Sequence, residues 1–154
     1  MDITDDYIAG FFDGEGTIQI YMGKRVIKGK MYMRCQLSVA ITQLDPKPLY
    51  LIMERYGGNV YQRKSRATKS GKMHNRFDWV ATSLVATEFL EAITPWLIVK
   101  QEEALIALEF SETLATNLDD TRNGIPPETL EKRWELHDEI REVRKRKTDI
   151  AYAA

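Results

Sequence analysis

This sequence of 154 residues predicts an α+β fold with the order α-β-β-α-β-β-α followed by extra helices. Three observations carry that prediction. A helical stretch near the N-terminus runs without a linker into an alternating strand. Residues 34–42 and 76–82 alternate apolar and polar side chains with period two, each as the second strand of a hairpin. Between the hairpins, Asp45-Pro46 opens a helix that Gly57-Gly58 closes. A composition of 44% hydrophobic and 29% charged residues suits one globular domain with a real core.

The first helix is expected over about residues 4–15, with Thr4 or Asp5 as its N-cap. It contains Tyr7-Ile8-Ala9-Gly10-Phe11-Phe12-Asp13-Gly14-Glu15-Gly16, which sets Gly10 and Gly14 four residues apart on one face. Each glycine costs a helix about 1 kcal/mol relative to Ala. Close approach of a second helix along that face, with Tyr7 and Phe11 beside it, is what offsets the cost. The segment reads as a helix-to-helix contact with an acid, Glu15, at its C-terminal end. Asp13 lies two residues earlier and points about 160–200° away, as a helix-end or core-edge hydrogen-bonding group.

Thr17, Gln19 and Tyr21 share one face of the first strand, and Ile18, Ile20 and Met22 the other. Residues 23–30, with two glycines and four bases, read as a turn or long hairpin tip. In the second strand Arg34, Gln36, Ser38, Ala40 and Thr42 oppose Cys35, Leu37, Val39 and Ile41, one polar basic face against one core face. A second hairpin follows from Asn59 to about Arg66 and from Arg76 to Thr82, joined by the loop 67–75. Helices are expected at about 83–93, 101–116 and 128–146. The last places Leu130, Trp134, His137, Ile140 and Val143 on one packing stripe.

Several function classes are poorly supplied. Cys35 stands alone, so no internal disulfide forms, and two histidines make a structural zinc site or histidine-based chemistry an unlikely design. No apolar run reaches membrane-span length and the acidic start resembles no signal peptide, so an intracellular place, cytoplasm or organelle matrix, is expected. Nothing points to a small-molecule substrate. The net charge of −1 hides a strong polarity: −5 over residues 1–19, +11 over 20–76 and −7 over 77–154. A basic middle carried on strands suits phosphates whatever the overall charge.

The ten residues from Tyr7 to Gly16 resemble the defining motif of the LAGLIDADG homing endonucleases, and the element order over about residues 5–115 resembles that family's fold. The resemblance implies a curved four-stranded antiparallel sheet straddling DNA, covered by helices on its other face, with residues 116–154 as a helical extension of one domain. It implies that Glu15, where many members have Asp, binds Mg²⁺ together with the carbonyl of Gly14, with Mn²⁺ or Ca²⁺ able to substitute for binding. Three further positions match the family's catalytic surroundings: Gln43 after Ile41-Thr42, Lys47 four residues on, and Lys100 closing Pro95-Trp96-Leu97-Ile98-Val99. Each has a plainer reading as well. Gln43 is functional only if its strand ends near Thr42, and is a buried amide otherwise; Lys47 and Lys100 also suit solvated helix starts. Asp45-Pro46-Lys47 mimics the acid-x-Lys end of a restriction-type site, but strand positions 31–42 supply no second acid, so the helix-cap reading prevails.

Readout of double-stranded DNA falls to outward sheet positions. Thr17, Gln19, Tyr21, Arg34, Gln36 and Ser38 come from the first hairpin, and Tyr61, Arg63, Arg76 and Asp78 from the second. Arg and Gln suit base edges in the major groove, while Lys24, Lys28, Lys30, Lys64, Arg66, Lys69 and Lys72 suit phosphates. Arg144-Lys145-Arg146-Lys147 is a further basic cluster at a helix end, where the dipole already favours cations. In the family two motifs lie side by side, so one motif per chain implies a homodimer, joined at Tyr7, Gly10, Phe11 and Gly14, on a palindromic or nearly palindromic site. The resemblance further implies that the site is long and that cutting leaves 3′ overhangs. An RNA-splicing maturase and a non-cleaving DNA-binding protein are the rival readings of the same fold.

Overall fold

The computed structural model describes residues 1–66, 71, 73–114 and 124–153, the side chains of 65, 66, 73, 74 and 151–153 excepted. Helix α1 (Asp5–Glu15) leads directly into β1 (Gly16–Ile27) and β2 (Lys30–Gln43). Helix α2 (Lys47–Tyr56), the hairpin β3 (Asn59–Arg66) and β4 (Met73–Thr82), and helices α3 (Ser83–Ile93), α4 (Gln101–Leu114) and α5 (Pro127–Ala153) follow. All strand pairs are antiparallel, in the order β1-β2-β4-β3. The expected α+β architecture is therefore present. No helix among the described residues is long and apolar enough to cross a membrane.

Period-two alternation decides which face of the sheet is covered. Ile18, Ile20, Leu37, Val39, Ile41, Trp79 and Ala81 are buried under the helices, while Thr17, Gln19, Tyr21 and Arg34 point to the open face. Helix α1 inserts Ile8, Ala9 and Phe12 into this core, and α3 inserts Phe89 and Leu90. Phe89 centres an aromatic cluster, with ring centroids 4.7 Å from Trp79, 5.3 Å from Tyr56 and 5.4 Å from Phe12. Each fully buried ring of this kind contributes about 1.5–3 kcal/mol by transfer alone. Trp79 also donates Nε1–H to the carbonyl of Gly57 at 2.9 Å. That contact explains the glycine pair after α2: Gly58 has φ 83°, and a Cβ there would lie 2.8 Å from Trp79 Nε1 and from the carbonyl oxygen of Val80.

Several elements differ from expectation. Strand β4 begins at Met73, three residues before the expected Arg76, and α5 runs to Ala153, past the expected end near 146. The stretch 23–30 is strand, not a long tip: Ile27 pairs with Lys30 and the turn is only Lys28-Gly29. Both turn residues have positive φ, 51° and 78°, the conformation of a two-residue hairpin turn that follows the twist of its strands. Helix α2 begins at Lys47 with Pro48 in its first turn, and Asp45 caps it by accepting the Lys47 amide at 2.9 Å. In α5 the buried row is Arg133, Leu136, Ile140 and Val143, while Trp134 is 38% exposed. The expected stripe was centred one residue too far because a buried arginine does not read as core. Arg133 is satisfied by donating to the hydroxyl and the carbonyl of Thr113, at 3.1 and 2.8 Å.

Candidate functional site

Two acids leave the end of α1 in different directions, and the structure gives them different work. Asp13 faces the segment before α4. Its carboxylate accepts the amides of Ile98 at 2.8 Å, Val99 at 3.1 Å and Lys100 at 2.9 Å. These donors open α4, where backbone N–H groups lack helical partners and an anion is favoured. Burial pulls the Asp13 carboxyl upward in pKa, but the three amides and the Lys100 ammonium outweigh it and hold the group below the usual value. The helix-end role expected for Asp13 is what the structure shows, with partners that no local sequence signal names.

Glu15 is the last residue of α1 and is exposed; among the described residues nothing pairs with its carboxylate. Gly16, next in the chain, is buried, and a Cβ there would lie 2.2 Å from the Phe12 ring. The chain can turn from helix to strand at this point only because that side chain is missing. Lys100 is brought to the same end of α1, where its ammonium donates to the carbonyl of Asp13. Burial pushes the Lys100 ammonium below its ordinary pKa, with Asp13, Glu103 and Glu15 pulling the other way and Lys147 adding to the depression.

Gln43 and Lys47 are placed less decisively. Strand β2 continues through Gln43, opposite Phe77, and the register partner of Gly16 is Ile41 two residues before it. Gln43 therefore stands at the end of the inner strand β2 nearest the end of α1, on the helix-side parity and half-buried. The strand ends at Gln43 itself, one residue past Thr42, so Gln43 is neither clear of the strand nor a fully buried amide. Lys47 is exposed at the start of α2 and borders a hollow with Thr4 and Tyr7, at the opposite end of α1 from Glu15. Within one chain it is not beside the acid.

As a cation site this end offers hard oxygen donors, the free carboxylate of Glu15 and the Gly14 carbonyl in the last turn, where helical carbonyls lack partners. No group of three or more His, Cys, Asp or Glu side chains poised around one point occurs among the described residues. That donor set fits Mg²⁺, which is held by one or two carboxylates and completed by water and phosphate oxygens. It does not fit a closed structural metal cage.

The open face of the sheet carries two organised clusters. In the first, the Arg34 guanidinium donates to Gln36 Oε1 at 3.1 Å and lies 5.7 Å from the centre of the Tyr21 ring. In the second, Asp78 is only 5% exposed. It accepts the Thr42 hydroxyl at 2.7 Å and Arg63 Nε at 2.8 Å, while Arg76 Nε stands 3.6 Å away as an ion pair without a hydrogen bond. Asp78 thus organises the two arginines and is not itself presented. Thr17, Gln19 and Tyr61 are exposed on the same face, and Ser38, half-buried, is the register partner of Gln19.

Strand parity corrects the phosphate set. Lys24 follows Met22 by two residues and Lys64 follows Gln62 by two, so both fall on the helix-side parity, opposite to Arg34 and Arg63. Lys28 and Lys30 remain at the exposed turn. Arg66 ends β3 opposite Met73, its side chain outside the described ones, and Lys69 and Lys72 lie outside the described residues. Arg25, hidden in the supposed tip, is exposed on the open face opposite Tyr32.

Along the outer face of α1, Tyr7 and Gly10 are exposed, Tyr7 stacks on Phe11 with centroids 6.3 Å apart, and Gly14 is exposed. A Cβ at Gly10 or Gly14 would meet nothing of this chain within 4 Å. Packing within the chain therefore does not require either glycine.

Residues 8–81 match the family model described as LAGLIDADG endonuclease. No curated protein matches the sequence. Among solved structures, the homing endonuclease I-CvuI in complex with the I-CreI target superposes with a TM-score of 0.70 at 20% identity, over 90% of this chain and 80% of that one. An archaeal intron-encoded homing endonuclease, I-Vdi141I, complexed with DNA, gives 0.67 at 21% identity, over 90% and 82%. I-GzeII, solved with its DNA target, gives 0.63 at 13% identity, with 88% of this chain covering 44% of that one. At these identities the structural matches establish a shared fold.

Proposed function

We propose that the chain, whose residues 8–81 match the LAGLIDADG endonuclease model and whose fold is shared with homing endonucleases, is a member of that family and a metal-dependent, site-specific double-strand DNA endonuclease of the homing type, working as a homodimer. The observation that carries the proposal is the contrast at the end of α1. Asp13 is fully used in holding the 98–100 segment, while Glu15 stands exposed and unpartnered beside it. An unpaired acid at a helix C-terminus, where the dipole is unfavourable to it, has no structural use in the isolated chain.

The open face of α1 supports the dimer. Gly10 and Gly14 cost helix stability and serve no contact within the chain. Two copies of α1 packed along these glycines about a two-fold axis set their Glu15 carboxylates side by side, one for each DNA strand. Structures of similar size are solved on DNA, and I-GzeII, also solved with its DNA target, is about twice as long. Both facts agree with one half-site per chain.

Glu15 and the Gly14 carbonyl would hold the cation, which when bound supplies charge neutralisation at the scissile phosphate and polarises water. The remaining groups act through position. Lys100, tethered to the Asp13 carbonyl, holds positive charge next to the acid. Gln43 at the end of β2 supplies an amide able to orient water, and Lys47 serves from the far end of α1 only if the partner brings its site there. The sheet face binds duplex DNA, with Arg34, Gln36, Arg63 and Arg76 at base edges and Lys28 and Lys30 at phosphates. A role in binding alone, whether to DNA or to intron RNA, leaves Glu15 without a purpose.

Glu15→Gln keeps the side-chain volume and removes the ligand charge. It is expected to bind target duplex as wild type does and to lose Mg²⁺-dependent cleavage, measured on a supercoiled plasmid carrying the site. Cutting by this variant at near the wild-type rate would remove Glu15 from the centre.

A further inference from the structure

On the far side of the hollow beside Gly16 and Lys100 stands α5, which contributes Arg144 and Lys147 to its wall. The Lys147 ammonium donates to the carbonyl of Val99 and to Glu103 Oε2, the latter at 2.7 Å. Glu103 is itself buried, and a carboxylate so placed requires its partner. Arg144, half-buried, donates to the carbonyl of Ile18 in β1. Arg146 pairs with Glu102 at 3.0 Å. Three of the four cations in the run 144–147 are therefore committed to this protein's own groups, which is a poor arrangement for binding phosphate.

The segment that delivers Lys100 is thus gripped from two directions. Asp13 of α1 takes the amides of Ile98, Val99 and Lys100, and Lys147 of α5 takes the intervening carbonyl of Val99. Ile98 and Val99 are exposed and supply no core packing of their own, so these polar contacts fix the segment. We infer that Lys147 is a positioning residue for Lys100, with Arg144 doing the same for the start of β1 where Glu15 emerges, and that α5 is a working part of the catalytic end. This inference rests on the endonuclease reading for its functional meaning, while the grip itself is testable without it.

Lys147→Ala leaves Glu103 buried without its partner, so the decisive variant is Lys147→Met with Glu103→Gln, which removes both charges and keeps the volume. In the metal-free protein, amide hydrogen exchange at Ile98, Val99 and Lys100 is expected to rise by about tenfold or more while β2 amides stay protected. On DNA, the single-turnover rate at saturating protein should fall by about tenfold or more with affinity unchanged. Lys147→Arg, which keeps a donor, should restore both. Unchanged exchange at residues 98–100 would overturn the inference. So would weaker DNA binding with an unchanged saturated rate, which would make Lys147 a phosphate contact. A wild-type protein that cuts no duplex, with the exchange effect present, would sink the endonuclease reading and uphold the grip of α5.

Discussion

Replacing Asp78 by Asn should move specific and non-specific DNA binding in opposite directions. The Asp78 carboxylate is buried but faces two partly solvated side chains, Arg63 at 60% exposure and hydrogen-bonded to it, and Arg76 at 44% exposure with its Nε buried and only ion-paired at 3.6 Å. Ion pairs to exposed arginines contribute about 0–1 kcal/mol to folding, and the burial of the carboxylate works against them, so stability should change by no more than about 1 kcal/mol. A bidentate arginine–guanine contact discriminates by about 1–3 kcal/mol, and only while the guanidinium is held in place. Losing part of that for two arginines gives a loss of about 1–2 kcal/mol per half-site, or about 5–30-fold in affinity for the target. The substitution also removes one negative charge from each sheet face, so affinity for arbitrary duplex should rise. Anisotropy titrations on a target obtained by selection from randomised duplexes, and on an unrelated duplex at the same salt, would measure both. If the two affinities changed by the same factor, Asp78 would not be an organiser of readout.

Gly10→Leu and Gly14→Leu should stabilise the helix of the isolated chain by about 1 kcal/mol, because a Cβ at either position meets nothing there; sedimentation should show the dimer lost, and a surviving dimer would take α1 out of the interface. Asp5 is held below its ordinary pKa by the Tyr56 hydroxyl, against partial burial, with help from Arg55 at 3.0 Å. Its contribution is present above the unfolded value of about 3.9 and fades as pH falls through the folded one, so wild type and Asp5→Asn should differ by about 1 kcal/mol at neutral pH, with the gap narrowing as the pH falls below the unfolded value in chemical denaturation; a constant gap would exclude the carboxylate as cause. Wild-type affinity for DNA should fall by roughly 0.9 log units per log unit of salt for each neutralised phosphate, with about five to ten such contacts per dimer; a flat profile would mean that the basic face does not line the duplex.

Most of the architecture was legible because the sheet is covered on one face only. That makes the alternation at residues 17–22 and 34–42 clean, and it places Thr17, Gln19, Tyr21, Arg34 and Gln36 correctly. The hairpin 23–30 was not legible, since Gly23, Gly29 and four bases look like loop composition. Its turn needs only Lys28-Gly29, and Lys28 at φ 51° is a conformation that no propensity assigns to lysine. The error propagated by parity, turning Lys24 to the wrong face and hiding Arg25. In α5 the periodicity was visible but off by one, because Arg133, Arg144 and Lys147 continue the inward row and charged residues are read as solvated. A row of cations at helical spacing in register with Leu136, Ile140 and Val143 was the available signal.

The candidate site divides differently. Everything about Glu15 is local: its neighbours in sequence set the glycine face, the ring of Phe12 requires Gly16, and the turn into β1 sets where the acid points. Everything that surrounds Glu15 is non-local. Asp13 meets amides 85 residues later in the chain, and Lys147 reaches back to Val99 and Glu103 from the last helix. A motif can specify where the Glu15 carboxylate points because helix geometry alone aims it, whereas its cationic neighbours are positioned by contacts made by α4 and α5. It follows that substitutions in α1 should act on the chemistry and the dimer directly, while those in α5 should act through the placement of Lys100, leaving DNA affinity intact. The free Glu15 and the fully engaged Asp13, two residues apart on one helix, are the two ends of that division.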